Sequence, residues 1–181
     1  EIAQCLVGSE MCIRDRTYMY HVREVDSNSI YVGEMNADLT KIDESTVELC
    51  IKAAPDGWEN TERRSWGVAE GPTVVKLDGT YYMFYSCNDY RSKDYAVGVA
   101  TASSPLGPWE KQGPVITKEN IGQPGTGHGD LFKDNKGNWQ YVFHTHYSDT
   151  QVSPRRTAVV QLKIKGKKVT VVPGTFHFVE R

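Results

Sequence analysis

Glu70-Gly-Pro-Thr-Val-Val-Lys-Leu-Asp-Gly79-Thr-Tyr-Tyr-Met-Phe-Tyr85 and His128-Gly-Asp-Leu-Phe-Lys-Asp-Asn-Lys-Gly137-Asn-Trp-Gln-Tyr-Val-Phe143 align without a gap. The offset is 58 residues throughout, from Glu70 to His128 and from Gly79 to Gly137 alike. In both copies a β-rich stretch leads through a glycine turn into an aromatic strand, and Tyr81, Met83 and Tyr85 meet Trp139, Tyr141 and Phe143. Residues two apart share one face of a strand, so the match is one of faces and not only of composition. A weaker third copy begins at Thr17-Tyr-Met-Tyr-His-Val22, 63 residues before Thr80. Further short runs of β-branched and aromatic residues lie between and beyond the copies, at Ser29–Met35, Tyr95–Ala100 and Thr157–Ile164. No window of a dozen residues holds an i, i+3, i+4, i+7 apolar stripe without an interrupting Gly or Pro. The sequence therefore predicts an all-β chain, and a β-rich repeat of this size reads as a propeller blade. Equivalent positions on successive radial blades face the propeller axis, which brings Glu70 and His128 to one central pocket.

The chain has 181 residues, 39% hydrophobic and 24% charged, a composition that suits one globular domain. Its net charge of -2 and lack of a basic block exclude a nucleic-acid partner from the reading. No apolar run approaches the roughly 18 residues of a spanning helix, so no membrane span is expected. Cys5, Cys12, Cys50 and Cys87 form no CxxC pair, which argues against structural zinc.

Glu1–Arg16, EIAQCLVGSEMCIRDR, has neither an alternating pattern nor turn chemistry. It lacks the basic start and apolar core of a secretion signal. The string CLVGSEMCIRDR resembles translated adapter read-through at a broken gene end, so residues 1–16 are set aside as non-native and expected to form no regular strand pairing. Residues 17–181 then hold fewer than three units of 58. A closed ring takes about four to eight blades, and the expectation is a partial propeller, about three blades from the C-terminal part of a longer one.

Four blocks carry a family resemblance. Val68-Ala-Glu70-Gly71-Pro72 with Gly79-Thr-Tyr-Tyr-Met-Phe-Tyr85-Ser86, then Tyr95-Ala-Val-Gly-Val-Ala100 and Ser104-Pro-Leu-Gly-Pro-Trp109, resemble glycoside hydrolase family 43. Gly125-Thr-Gly-His128-Gly-Asp130, Phe143-His-Thr-His146 and Ser153-Pro-Arg155-Arg156-Thr157 are similar to the last blade of that family. The resemblance, from about Thr17 to the C-terminus, implies a five-bladed β-propeller hydrolase, a glycosidase of arabinan or xylan degradation. It implies cleavage of O-glycosidic bonds in arabinose-, xylose- or galactose-containing plant polysaccharides by inversion. A secreted or periplasmic parent protein follows from the same resemblance, with an oligo- or polysaccharide as partner. A propeller that binds carbohydrate or serves as a scaffold without catalysis is the alternative.

Glycoside hydrolysis by inversion needs a protonated acid and a water-activating base, about 6.5 to 9.5 Å apart across the bond. Glu70 opens the first strand of its blade, flanked by Val68, Ala69, Gly71 and Pro72 with no basic neighbour, and the resemblance gives it the general-acid role. The family's base and the aspartate that tunes the acid lie upstream of the foreign-looking segment, so this chain alone is expected to be inactive. Asp130 shares a strand face with His128 and is read as a polar axial residue, not a base. His128 resembles the family's central histidine beside a structural Ca2+, although one imidazole is a poor start for a calcium site; no cofactor is required. His144 and His146 alternate on one strand face without a third ligand and are read as packing or substrate-edge contacts. Arg155 or Arg156 resembles the family's sugar contact. Adjacent strand residues point to opposite faces, so only one of the two enters the pocket, with Arg155 favoured. Trp66, with Tyr18, Tyr90 and Tyr147, offers an aromatic platform for a sugar ring.

Overall fold

The computed structural model describes residues 10–13 and 16–180. Among these, the strands form three antiparallel sheets in chain order. Blade I contains β1 (Glu10–Ile13), β2 (Arg16–Glu24), β3 (Asn28–Glu34) and β4 (Glu48–Lys52). Blade II contains β5 (Ala69–Leu77), β6 (Thr80–Cys87), β7 (Ala96–Ala102) and β8 (Glu110–Ile116). A single helical turn, α1 (Lys118–Ile121), leads to blade III: β9 (Gly127–Lys133), β10 (Trp139–Thr145), β11 (Arg156–Lys165) and β12 (Lys168–Val171), with β13 (His177–Phe178) pairing β11. The three blades are consecutive up-and-down sheets, the partial propeller that the repeat predicts.

The burial of the aromatic strand reports each blade's neighbours. β6 is buried on both faces because a blade packs on either side of it. Tyr82 and Phe84 join Tyr141, Phe143 and Val160 between blades II and III, while Met83 and Tyr85 join Tyr20, Ile30 and Val32 between blades I and II. β10 buries alternate residues, Tyr141, Phe143 and Thr145, and β2 buries Tyr18 and Tyr20. One face is thus packed in the outer blades, as the period of two requires.

Two local features set the inner strands. Asp78 (φ 47) and Gly79 (φ 83) are both left-handed, the geometry of a tight type I′ hairpin turn that closes Leu77 onto Thr80. The second copy closes over a longer loop, in which the Asp134 carboxylate accepts the backbone N–H groups of Lys136 and Asn138. Both β5 and β9 also carry an irregularity near their starts, between Glu70 and Thr73 and between Gly127 and Asp130. Gly71 (φ 58) and His128 (φ 51) take left-handed backbone there. Bulges of this kind re-aim side chains at sheet rims. The Thr73 hydroxyl then donates to the carbonyl of Gly129 at 3.0 Å, tying β5 to β9 across the inner edge.

The expectation that residues 1–16 form no regular strand pairing does not hold. Glu10–Ile13 does pair, antiparallel to Arg16–Met19, and takes the position in blade I that β5 and β9 take in theirs. A strand edge offers backbone groups that a segment of almost any composition can satisfy, so an absent side-chain pattern does not prevent pairing. Residues 1–9, 14 and 15, the rest of the segment set aside but for Arg16, lie outside the described residues.

Candidate active site

The bulges bring the starts of β5 and β9 into one cluster. The Tyr95 hydroxyl donates to Oε1 of the half-buried Glu70 at 2.7 Å. The Tyr95 ring stacks on His144 with centroids 6.0 Å apart, and His144 stacks on His128 at 6.2 Å. Arg155 donates from a terminal nitrogen to Nε2 of His144 at 2.7 Å. Gly71 completes the contact: a Cβ there would lie 3.1 Å from the His128 ring, so the absence of a side chain lets β5 approach the imidazole. Glu70, His128 and Arg155 are therefore joined through two rings, Tyr95 and His144. The backbone N–H of His128 is held by the Ser86 hydroxyl at 2.8 Å, which fixes its left-handed turn.

The electrostatics follow from these contacts. Burial, then the positive charge of Arg155 and the neighbouring His128 and His146, push His144 down to about 3. A guanidinium cannot accept a hydrogen bond, so Nε2 is the accepting nitrogen and the proton of the neutral ring sits on Nδ1. That Nδ1 is buried without a partner. Tyr95 is held well above its ordinary value by burial and by the facing carboxylate of Glu70, and so remains a donor.

The structure separates the two arginines. Arg155 joins His144, whereas the guanidinium carbon of Arg156 lies 3.2 Å above the centre of the Phe178 ring on the outer part of blade III. Trp66 lines a cavity of about 220 Å3 whose walls include neither Glu70, His128 nor Arg155. His146 is buried and its Nε2 meets the carbonyl of Tyr90 at 2.9 Å, a packing role. Asp130 is exposed, and its carboxylate accepts from the backbone N–H of Leu131.

Among the described residues no group of three or more His, Cys, Asp or Glu side chains is arranged to hold a metal ion. Calcium takes about six to eight oxygen ligands. His128 brings one nitrogen, stacked against a second imidazole that is bonded to a guanidinium, and this donor set does not fit calcium. No chemical step is assigned to a cation.

Tyr95 is what the sequence did not reveal as part of this cluster, and His144 was read only as a packing or substrate-edge contact. Tyr95 reads as the first residue of a buried strand, and its link to Glu70 spans 25 residues through a tertiary contact. The alternation of His144 and His146 was visible, but their opposite fates depend on neighbouring loops.

The family model for glycosyl hydrolases family 43 matches residues 11–167. This chain belongs to glycosyl hydrolases family 43. The family assignment agrees with the resemblance carried by the Glu70 and His128 blocks. An endo-1,4-β-xylanase from Bacteroides thetaiotaomicron is similar, with a TM-score of 0.85 and 39% identity over 93% of this chain and 58% of its own. A thermostable family-43 glycoside hydrolase aligns with a TM-score of 0.80 and 32% identity over 92% of this chain and 57% of that one. Among curated relatives, a β-D-galactofuranosidase of Aspergillus niger is 32% identical over 96 residues, 51% of this chain and 28% of the relative. The family-43 chain thus spans little more than half of these solved structures and under a third of the Aspergillus protein.

Proposed function

We propose that this chain carries the acid-bearing part of an inverting glycoside hydrolase acting on arabinose-, xylose- or galactose-containing plant polysaccharides. The observation that carries the reading is the Tyr95–Glu70 hydrogen bond at the start of an inner propeller strand. With Oε1 occupied by the Tyr95 hydroxyl, Oε2 of Glu70 is the oxygen that holds the transferable proton. That proton passes to the glycosidic oxygen as its bond to the anomeric carbon breaks. Water adds from the opposite face after giving its own proton to a base carboxylate. The base belongs to the part of the propeller that the longer relatives have and this chain does not span. Arg155, steered by His144, offers its remaining N–H donors to sugar hydroxyls, and Arg156, on the far side of β11, takes no part.

An acid without its base leaves water unactivated, so this chain by itself is inactive in this reading. Residues 1–16 are a foreign addition, which sequencing of an independent clone of the gene would test. For the function, the chain and a completed coding sequence would be assayed side by side on aryl arabinofuranosides, xylosides and galactosides. Turnover is expected from the completed protein only. Equal rates from the two would overturn the assignment, and binding without turnover by the completed protein would favour the non-catalytic carbohydrate-binding propeller.

A further inference from the structure

The cavity beside Trp66 sits at the junction of blades I and II, on the segment that leads directly into Glu70. Its aromatic wall is preorganised. The indole N–H of Trp66 donates to the Asn28 side-chain oxygen at 2.7 Å, and the backbone N–H of Asn28 donates to the Gly67 carbonyl at 3.0 Å, so the ring is pinned to the neighbouring blade while 46% exposed. Opposite charges line the rest. Asp89 accepts from Arg91 at 2.5 Å and from Arg64 at 3.2 Å, and Arg64 also pairs with Glu62 at 2.7 Å. Behind them the buried Asn88 bonds to Thr61, Trp58 and Asp94, which fixes the loop that carries Asp89 and Arg91.

This lining selects a chemistry. The two guanidiniums are balanced by Asp89 and Glu62, and the third lining carboxylate, the buried Glu59, is paired with Lys111, so the cavity presents no excess charge to attract an anion. The carboxylate of Asp89 is filled by its arginine partners, whereas each guanidinium has five N–H groups and retains free ones. A ligand must therefore bring neutral acceptors together with an apolar face for the indole. A sugar ring has both: hydroxyl oxygens at its rim and a C–H face that packs on the negative face of an aromatic ring. The volume, about 220 Å3, falls below the roughly 300–1,000 Å3 of pockets for larger ligands and suits a single ring.

Tyr90 connects this cavity to the Glu70 cluster. Its exposed ring has the Arg91 guanidinium at 5.6 Å on the cavity side and the Arg155 guanidinium at 5.5 Å from the cluster that holds His144. One side chain thus separates the two. We propose that the Trp66 cavity is a subsite for one neutral sugar unit of the same polysaccharide chain whose glycosidic bond lies at Glu70. Trp66 is its platform and Arg64 and Arg91 are its hydroxyl donors. The inference rests on the glycosidase reading and adds to it a residue set that senses chain length.

The test uses this chain as it stands, titrated with xylo- and arabino-oligosaccharides of one to six units and with glucuronic and galacturonic acid, with affinity read by isothermal titration calorimetry in every variant and the Trp66 indole N–H followed by NMR in the wild type. Affinity is expected to rise with length until the cavity is reached. Trp66→Ala should lower it about tenfold for the longer oligosaccharides and leave the monosaccharide unchanged, while Trp66→Phe retains most of the length effect. Glu70→Gln should leave the length effect intact. In the completed enzyme, Trp66→Ala should raise KM for polysaccharide severalfold more than it raises KM for an aryl monoglycoside. Three results would overturn the subsite: no sugar binding by this chain, a length effect that survives Trp66→Ala, or binding confined to uronic acids. Each leaves the Glu70 assignment to stand or fall on the activity of the completed enzyme.

Discussion

Burial beside Arg155 disfavours a charge on His144. The folded ring is pushed from 6.5 down to about 3, so between these values the unfolded chain binds a proton that the folded chain refuses. Its contribution to stability is fully present above about pH 6.5 and is lost progressively as the pH falls toward 3. Chemical denaturation at pH 7 and pH 5 should show lower stability at pH 5. His144→Gln, which keeps an acceptor for Arg155 but does not titrate in this range, should shrink that difference. His21 is also pushed down by burial and contributes to the same slope, so the difference shrinks without vanishing. An unchanged difference in the variant would refute the assignment. At this scale the sequence exposed Glu70 and His128 through their equivalent places in the repeat, and the separation of Arg155 from Arg156 through strand alternation. It did not expose Tyr95, because a hydroxyl that reaches a carboxylate across two strands leaves no periodic trace.

The inner strands depend on glycines that differ in kind. A Cβ at Gly129 would lie 2.0 Å from the carbonyl oxygen of Val142, a backbone atom that cannot swing aside, whereas one at Gly137 would enter open space. Gly129→Ala should cost about 3 kcal/mol by forcing β9 from β10. Gly137→Ala should cost about 1 kcal/mol, the strain of its left-handed φ of 82. Equal costs in urea unfolding would contradict this packing. The repeat marks Gly137 as a turn in the sequence, whereas the crowding at Gly129 is seen only in the structure. Blades I and II are locked by Glu59, 2% exposed, whose carboxylate accepts from the Ala54 N–H and Lys111 at 2.6 Å and from the Tyr85 hydroxyl at 2.7 Å. Removing one partner of a fully buried pair costs about 3–5 kcal/mol. Lys111 is 37% exposed and can be rehydrated, so Glu59→Ala should cost about 2 kcal/mol, visible as a lower denaturation midpoint. A midpoint equal to wild type would show that the blades do not depend on this contact. Glu59 carries no signal in sequence, since glutamate is ordinarily solvated and its burial arises from three separate segments meeting.

For the whole molecule, the 58-residue repeat and the alternation of aromatic faces were enough to predict radial blades, because both follow from strand periodicity. The same periodicity was silent about β1, whose pairing depends on an available backbone edge. It was equally silent about the Trp66 cavity, which is formed by loops between blades. What unites the scales is the placement of one carboxyl group at the start of β5, bonded by Tyr95, whose ring stacks on His144 of blade III. The decisive measurement is hydrolysis by the completed enzyme and its Glu70→Gln variant, compared on an unactivated oligosaccharide and on a dinitrophenyl glycoside. If Glu70 protonates the leaving oxygen, the variant loses about 10²- to 10⁴-fold on the oligosaccharide and far less on the dinitrophenyl substrate, whose leaving group needs no proton. Equal losses on both substrates, or wild-type turnover of the oligosaccharide by the variant, would contradict the assignment.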